Sequence, residues 1–171
     1  MSDCIDAGMQ RGGMALVNHY LPDALPVPLP MDAGFDQPHF DALRHERLVI
    51  QRCRSCQTWI WGPEHICHSC LAWDPAWVEV APVGRIYAWS RVWSPGFAPL
   101  RPASPFLVAL VELPHAGGVR MIGNLLGDRM QTVRIGDAVS GEFEHHDVND
   151  YQYSLLHWRA NRDSSVGEPK P

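Results

Sequence analysis

The sequence predicts a mainly β protein in which an N-terminal helix and a rubredoxin-like zinc ribbon are followed by a small OB-fold barrel. Two observations carry this prediction. Four of the five cysteines fall within 18 positions as C-x2-C-x10-C-x2-C, at Cys53, Cys56, Cys67 and Cys70. From Trp77 onward the chain divides into short β-type runs separated by Gly and Pro. Strands this short protect their edges best by closing on themselves, which points to a barrel.

A chain of 171 residues is one domain's worth, here one compact body with a small appendage and two tails. Its formal charge of -5 and pI near 5.9 give no pull toward phosphate backbones, so nucleic acid is disfavoured. The opening stretch carries Asp3 and Asp6 without a basic start and an apolar block, so it does not read as a secretory signal. The longest clean apolar run, Phe106 to Val111, falls far short of the roughly 20 residues that cross a bilayer. A cytoplasmic protein without membrane contact is the expectation. In a reducing compartment C-x-x-C pairs hold metal more readily than disulfides.

The elements follow in order. Residues 1–34 hold Pro22, Pro26, Pro28 and Pro30 with Gly8, Gly12, Gly13 and Gly34, and predict an extended or disordered arm. Residues 35–76 are expected to form a helix plus the ribbon. The helix begins behind Asp36 as N-cap, with Phe40, Leu43 and Arg47 at helical spacing. Leu48 to Ile50 leads as a strand into Cys53, and Thr58 to Trp61 returns, so both cysteine pairs sit on turns. Residues 77–160 are assigned to the barrel, with runs at Trp77–Val80, Val83–Trp93, Phe106–Leu113, Val119–Leu126, Val133–Phe143 and Tyr151–Trp158. The proline-rich connection 94–105 is semi-rigid and suited to contacting a ligand or partner, while His115–Gly118 reads as a hairpin turn. Residues 161–171 read as a flexible tail.

Zinc takes four soft or borderline ligands in a tetrahedron, and each C-x2-C turn supplies one edge. Because protein fills all four positions, no place is left for water or substrate. The metal is therefore expected to stabilise a fold, with iron as the alternative ion. His65 and His68 lie in the same loop but are not needed as ligands.

Catalytic signals are sparse. The nucleophile elbow, phosphate loop, dinucleotide turn and H-E-x-x-H motifs are absent, and Lys170 is the single lysine. Cys4, in an acidic leader, has no positioned base. Glu142, Glu144, His145, His146 and Asp147 cluster near a strand end. They read either as a second metal or proton-shuttle site or, more simply, as a solvated strand end, because alternation sends neighbours to opposite faces. In the run 85–93, alternation places Arg85, Tyr87, Trp89, Arg91 and Trp93 on one face and Ile86, Ala88, Ser90 and Val92 on the other, barrel-facing side. Such an aromatic and basic face can stack bases, accept the adenine and phosphates of a cofactor, or join a protein interface. Alternatively it is covered by the ribbon or the proline loop.

The stretches FDALRHERLVIQRC, CRSCQTWIWGPEHICHSC, GRIYAWS, PFLVALVEL, VRMIGNLLG and VRIGDAVSGEFE together resemble the OB-fold proteins with an N-terminal rubredoxin-like zinc ribbon that accompany thiolase-type enzymes and hotdog-fold hydratases in acyl-CoA metabolism. The resemblance spans about residues 35–158. It implies a non-catalytic accessory subunit that binds a thiolase-fold or hotdog-fold enzyme and helps hold a coenzyme A thioester, with Cys53, Cys56, Cys67 and Cys70 at the family's metal positions. Under that resemblance Arg85, Trp89, Arg91, Trp93, Phe97 and Arg101 become the candidate acyl-CoA or partner contacts. Three departures stand out: Gln57 and Leu71 occupy positions where glycine is frequent, which predicts a slightly altered knuckle, and Ala88 stands where a small hydroxyl residue is usual.

Overall fold

The computed structural model describes residues 19, 20, 22, 25, 34, 36–148 and 151–161. Most of the expected arm 1–34, Cys4, and the tail beyond Asn161 lie outside the described residues.

Helix α1 spans Gln37–Leu43, with Pro38 in its first turn, where no backbone donor is lost to the helix. Asp36 precedes it in helical backbone conformation and makes no side-chain cap, so the expected N-cap bond is not formed. The buried face is His39, Ala42 and Leu43, at i, i+3 and i+4, while Arg47 is exposed beyond the helix end. Strand β1 (Leu48–Arg52) pairs antiparallel with β2 (Trp59–Ile60) on one side and β3 (Ala76–Val80) on the other. The run Trp77–Val80, read from sequence among the barrel strands, thus completes the ribbon sheet.

The barrel contains β4 (Val83–Val92), β5 (Phe106–Leu113), β6 (Val119–Leu126), β7 (Ala138–Val148) and β8 (Tyr151–Ala160). Its order is β4-β5-β6-β8-β7, closed by β7 returning to β4, and only β6 and β8 run parallel. The mainly β architecture expected from the sequence is therefore present. One run is displaced: the segment beginning at Val133 stays a loop until Ala138, because Gly136 takes a left-handed φ of 92° and breaks the strand. Val133 is nonetheless buried in the core.

One core joins the two parts. Leu48 and Ile50 of the ribbon sheet are fully buried with Ile86, Leu107, Val111, Leu125, Val139 and Trp158 of the barrel. Each such aliphatic side chain contributes about 1.5–3 kcal/mol on burial, so ribbon and barrel stabilise each other. Two glycines make the close approaches possible. A Cβ on Gly84 would lie 2.5 Å from the Glu112 carbonyl oxygen, and one on Gly117, left-handed at φ 67°, would lie 2.6 Å from the Trp59 ring. The expected hairpin turn at 115–118 is a 3-10 turn, Pro114–Ala116, followed by two left-handed glycines. Among the described residues, no helix is long and apolar enough to cross a membrane.

Candidate metal centre and barrel surface

Both knuckles are built by backbone geometry. After β1 the chain turns at 54–56 and comes back through Gln57, whose N–H donates to the Cys53 carbonyl at 3.0 Å. The second knuckle repeats this at 68–70, with Leu71 N–H donating to the Cys67 carbonyl at 2.9 Å. Gln57 and Leu71 hold φ of 65° and 63°. These are the two positions where a glycine was expected, and the reason is now visible: the return from each knuckle runs through left-handed backbone, which both side chains adopt at a cost.

The four Sγ atoms lie within 4.8 Å of one another. Cys53 and Cys70 approach to 3.5 Å and Cys56 and Cys67 to 3.6 Å, so the close pairs run between the knuckles. Zinc held by four thiolates at about 2.3 Å sets neighbouring sulfurs about 3.8 Å apart, close to what is seen. Amides of Cys56 and Ser69 point at the sulfurs of Cys53 and Cys67, at 3.5 and 3.4 Å. The Thr58 hydroxyl, 3.1 Å from Cys56, and the Thr58 amide draw that thiol down to about 6. For Cys70 the Ala72 amide lowers the value, but the sulfurs of Cys56 and Cys53 outweigh it and push the thiol up to about 12. Sulfurs this close cannot all be charged unless a cation sits among them. His65 and His68 stand outside the set; His68 is exposed and lies 3.4 Å from Glu64. With four thiolates, the ion would have no open position and its chemistry would be structural.

The six barrel candidates are dispersed. Between Ile86 and Ala88 the pairing with β5 slips by one residue, so that Ile86 faces Val111 and Ala88 faces Leu110. This bulge at Tyr87 inverts the alternation beyond it. Arg85 and Tyr87 point outward, but Trp89 packs against the core and Arg91 shares its side. The single aromatic and basic face expected from strict alternation therefore does not form, and of Ile86, Ala88, Ser90 and Val92 only Ile86 joins the core. Arg91 stacks 5.5 Å from the Trp89 ring and donates to the carbonyls of Arg129 at 2.9 Å and Gln131 at 2.7 Å. Arg85 instead lines an open cleft of about 830 Å³ with Met130, Arg134, Asp137 and Asn161. Trp93 and Phe97 are 60% and 48% exposed on the proline-rich connection, and Arg101 is exposed on its 3-10 helix, Ala98–Ala103.

The outer surface of β5 and β6 presents Leu110 and an exposed Ile122 beside Tyr87. The Arg120 guanidinium lies 3.4 Å from the Tyr87 ring centroid and 3.1 Å from Glu112, so its charge is already matched.

The acidic and histidine cluster on β7 divides: His145 and Asp147 are exposed as a solvated strand end would be, while Glu144 and His146 are partly buried. Val139 and Trp158 face the core, so register sends Glu142, Glu144, His146 and His157 to the outer face of the β7–β8 pair. There the Glu144 carboxylate stands 2.8 Å from His146 Nε2 and 3.5 Å from His157 Nε2. His157 is 2% exposed. The cover is the chain's own N-terminal segment: Tyr20 N–H donates to Glu144 at 2.8 Å, and the Tyr20 hydroxyl donates to the Leu125 carbonyl at 3.1 Å. Burial pushes the Glu144 carboxyl up, but His157, the Tyr20 N–H and His146 outweigh it and bring it down to about 2. Sequence spacing signalled Glu144 and His146. It held no signal for Tyr20, which is far away in the chain, and His157 arrives from the next strand only once the β7–β8 register is known.

Two family models match the chain in succession. Residues 40–74 match the ChsH2 rubredoxin-like zinc ribbon domain, and residues 77–144 match the ChsH2 C-terminal OB-fold domain. The solved structure of an Ltp2-ChsH2(DUF35) aldolase is similar at 30% identity, covering 77% of this chain and 98% of that one, with a TM-score of 0.65. The chain belongs to the ChsH2 family of zinc-ribbon and OB-fold proteins. A DUF35-family protein from Sulfolobus solfataricus shares the fold at 14% identity, covering 75% of this chain and 87% of that one, with a TM-score of 0.51. A probable enoyl-CoA hydratase alpha subunit from Thermomonospora curvata is 36% identical over 97 residues, 57% of this chain. Those residues span 29% of that protein's length. The span matched by the ChsH2 ribbon model includes all four cysteines, whereas Tyr20 and His157 lie outside both matched spans.

Proposed function

We propose that this chain is a non-catalytic accessory subunit that seats on a thiolase-fold or hotdog-fold acyl-CoA enzyme and helps hold the coenzyme A thioester. The observation that carries this reading is the likeness, over 77% of this chain and 98% of the other, to the chain of a structure described as an Ltp2-ChsH2(DUF35) aldolase. The hydratase name of the curated relative supports an acyl-CoA setting, with either partner class open. The closed four-thiolate site fits a scaffold role, since it has no position at which a substrate could be activated.

Within that reading, Trp93, Phe97 and Arg101 are the foremost thioester or partner contacts, because they are exposed on one semi-rigid connection. Flat rings can lie against pantetheine or adenine, and an arginine can pair with phosphate. Arg85, in its cleft, remains a candidate at a separate place. Trp89 and Arg91 act by holding the barrel in shape.

A single-strand nucleic-acid binder would use the same fold, but a basic groove with stacked aromatics is what such binders need. Here the outer face of β5 and β6 carries Leu110 and Ile122 without a basic groove, and its Arg120 is already paired with Glu112.

The test is to purify the chain from its native cell with whatever enzyme accompanies it, and to assay acyl-CoA turnover by that enzyme alone, by this chain alone and by the two together. Turnover that needs both is expected. Turnover by this chain alone, or tight and strongly salt-dependent binding to mixed oligonucleotides, would overturn the proposal.

A further inference from the structure

The cleft beside Arg85 is built on a braced frame. Its long wall is the loop 127–137, which is bonded into the barrel at both ends. At the far end Gly136 N–H donates to the Ile86 carbonyl at 2.7 Å and Ile86 N–H donates to the Asp137 carbonyl at 2.9 Å. At the near end Gln131 Nε2 donates to the Leu126 carbonyl at 2.9 Å. Arg91 holds the middle through the carbonyls of Arg129 and Gln131, and Arg129 in turn donates to the Ala103 carbonyl of the proline-rich connection. Side chains carried on such a wall are positioned before a ligand arrives.

Charge in the cleft is unevenly matched. Arg85 and Arg134 are both exposed there, and Arg85 Nη1 donates to the Gly136 carbonyl at 3.4 Å, which draws its guanidinium over the loop. The two carboxylates of the cleft are engaged by the backbone: Asp128 accepts from the Met130 N–H at 2.8 Å, and Asp137 accepts from the Arg134 N–H at 3.0 Å. Among the described residues, neither carboxylate forms an ion pair with either guanidinium. Two planar forks of N–H donors therefore meet one open space without an ion-pair partner. The exposed thioether side chain of Met130 gives the same space an apolar wall.

We propose that this cleft holds the phosphorylated adenosine end of a coenzyme A thioester, with Arg85 and Arg134 on its phosphates and Met130 against the adenine.

Taken with the acyl-CoA reading above, on which this rests, the cleft supplies a place for the ligand's charged end. Its volume of about 830 Å³ lies within the roughly 300–1,000 Å³ of small-molecule sites. Being open to water, it suits a group that is bound and not transformed: phosphates keep part of their hydration while the guanidiniums add charge-assisted hydrogen bonds. The thioester itself needs a drier site, which the partner enzyme provides. Two guanidiniums at one place match a compact ligand with clustered phosphates, whereas a nucleic-acid strand calls for a basic groove along its length.

Calorimetric titration of the full, metal-loaded chain with coenzyme A tests this, with pantetheine and inorganic diphosphate as comparison ligands. Coenzyme A is expected to bind at least about tenfold more tightly than either. Arg85→Gln and Arg134→Gln, both on the exposed rim, should each weaken coenzyme A binding about tenfold or more. Arg120→Gln, which removes a guanidinium paired with Glu112 elsewhere on the barrel, should leave it unchanged. The cleft would be overturned as the site by unchanged affinity in Arg85→Gln and Arg134→Gln, by equal losses in all three variants, or by a loss confined to Arg101→Gln. Diphosphate binding as tightly as coenzyme A, or no coenzyme A binding at millimolar concentration, would overturn it as well. None of these results touches the accessory role, whose own readout is whether acyl-CoA turnover needs this chain together with its enzyme.

Discussion

The guanidinium of Arg91 donates to the main-chain carbonyl of Gln131 at 2.7 Å, bridging a barrel strand to the loop that closes the barrel beside it. A second bond to the Arg129 carbonyl and the Trp89 ring beneath the guanidinium fix the side chain from both sides. An arginine that alternation placed on a candidate contact face braces the barrel.

Replacement of that brace is therefore expected to act on stability. Arg91→Ala removes two charge-assisted hydrogen bonds from a half-buried site and should cost about 2–3 kcal/mol in urea unfolding. Arg101→Ala, on an exposed turn, should change stability by no more than about 0.5 kcal/mol. Equal effects of the two substitutions would contradict the assignment of Arg91 to the fold.

Leu71 offers a substitution in the stabilising direction. It is 73% exposed and held at φ 63°, so its side chain gives little packing and strains the backbone. Leu71→Gly relieves about 1–2 kcal/mol of left-handed strain and returns about 0.5–1 kcal/mol in chain entropy. The net expectation is a gain of about 0.5–1 kcal/mol in chemical denaturation of the metal-loaded protein. A loss would show that the Leu71 side chain supports the knuckle.

His39 predicts how global stability depends on pH. It is buried, and desolvation lowers its value below 6.5 despite a bond from Nδ1 to the Val49 carbonyl at 3.1 Å. Because the folded value is depressed, the unfolded chain binds the extra proton first. Stability is therefore full above about pH 6.5 and declines as pH falls below it, toward the folded value. His39→Asn, whose Nδ2 can replace the donor to Val49, should flatten that decline at some cost in packing against Trp61. Unfolding midpoints across the range would show it, and an unchanged slope would remove His39 as the cause.

How much of this was legible in the sequence differs from element to element. The cysteine spacing led directly to the ribbon, because a C-x2-C turn has few ways to fold around a metal. Strand runs led to the barrel for a similar local reason. The face of β4 was misread because nothing in Arg85 to Trp93 marks the bulge at Tyr87; it arises from matching β4 to β5. The strand expected from Val133 begins only at Ala138, because Gly136 holds a left-handed backbone that ends the loop just before β7. The pocket that buries Glu144 was beyond reach because Tyr20 comes to it only through the tertiary fold and His157 only through the β7–β8 register.

The metal carries the account most directly. Elemental analysis of chain purified from metal-defined medium should find one zinc or iron per molecule. In Cys70→Ser, metal should be lost, and because Leu48 and Ile50 of the ribbon sheet share the barrel core, unfolding stability should drop by about 3 kcal/mol or more. Chain that contains no transition metal, and whose stability is unchanged when Cys70 is replaced, would contradict the account at its base.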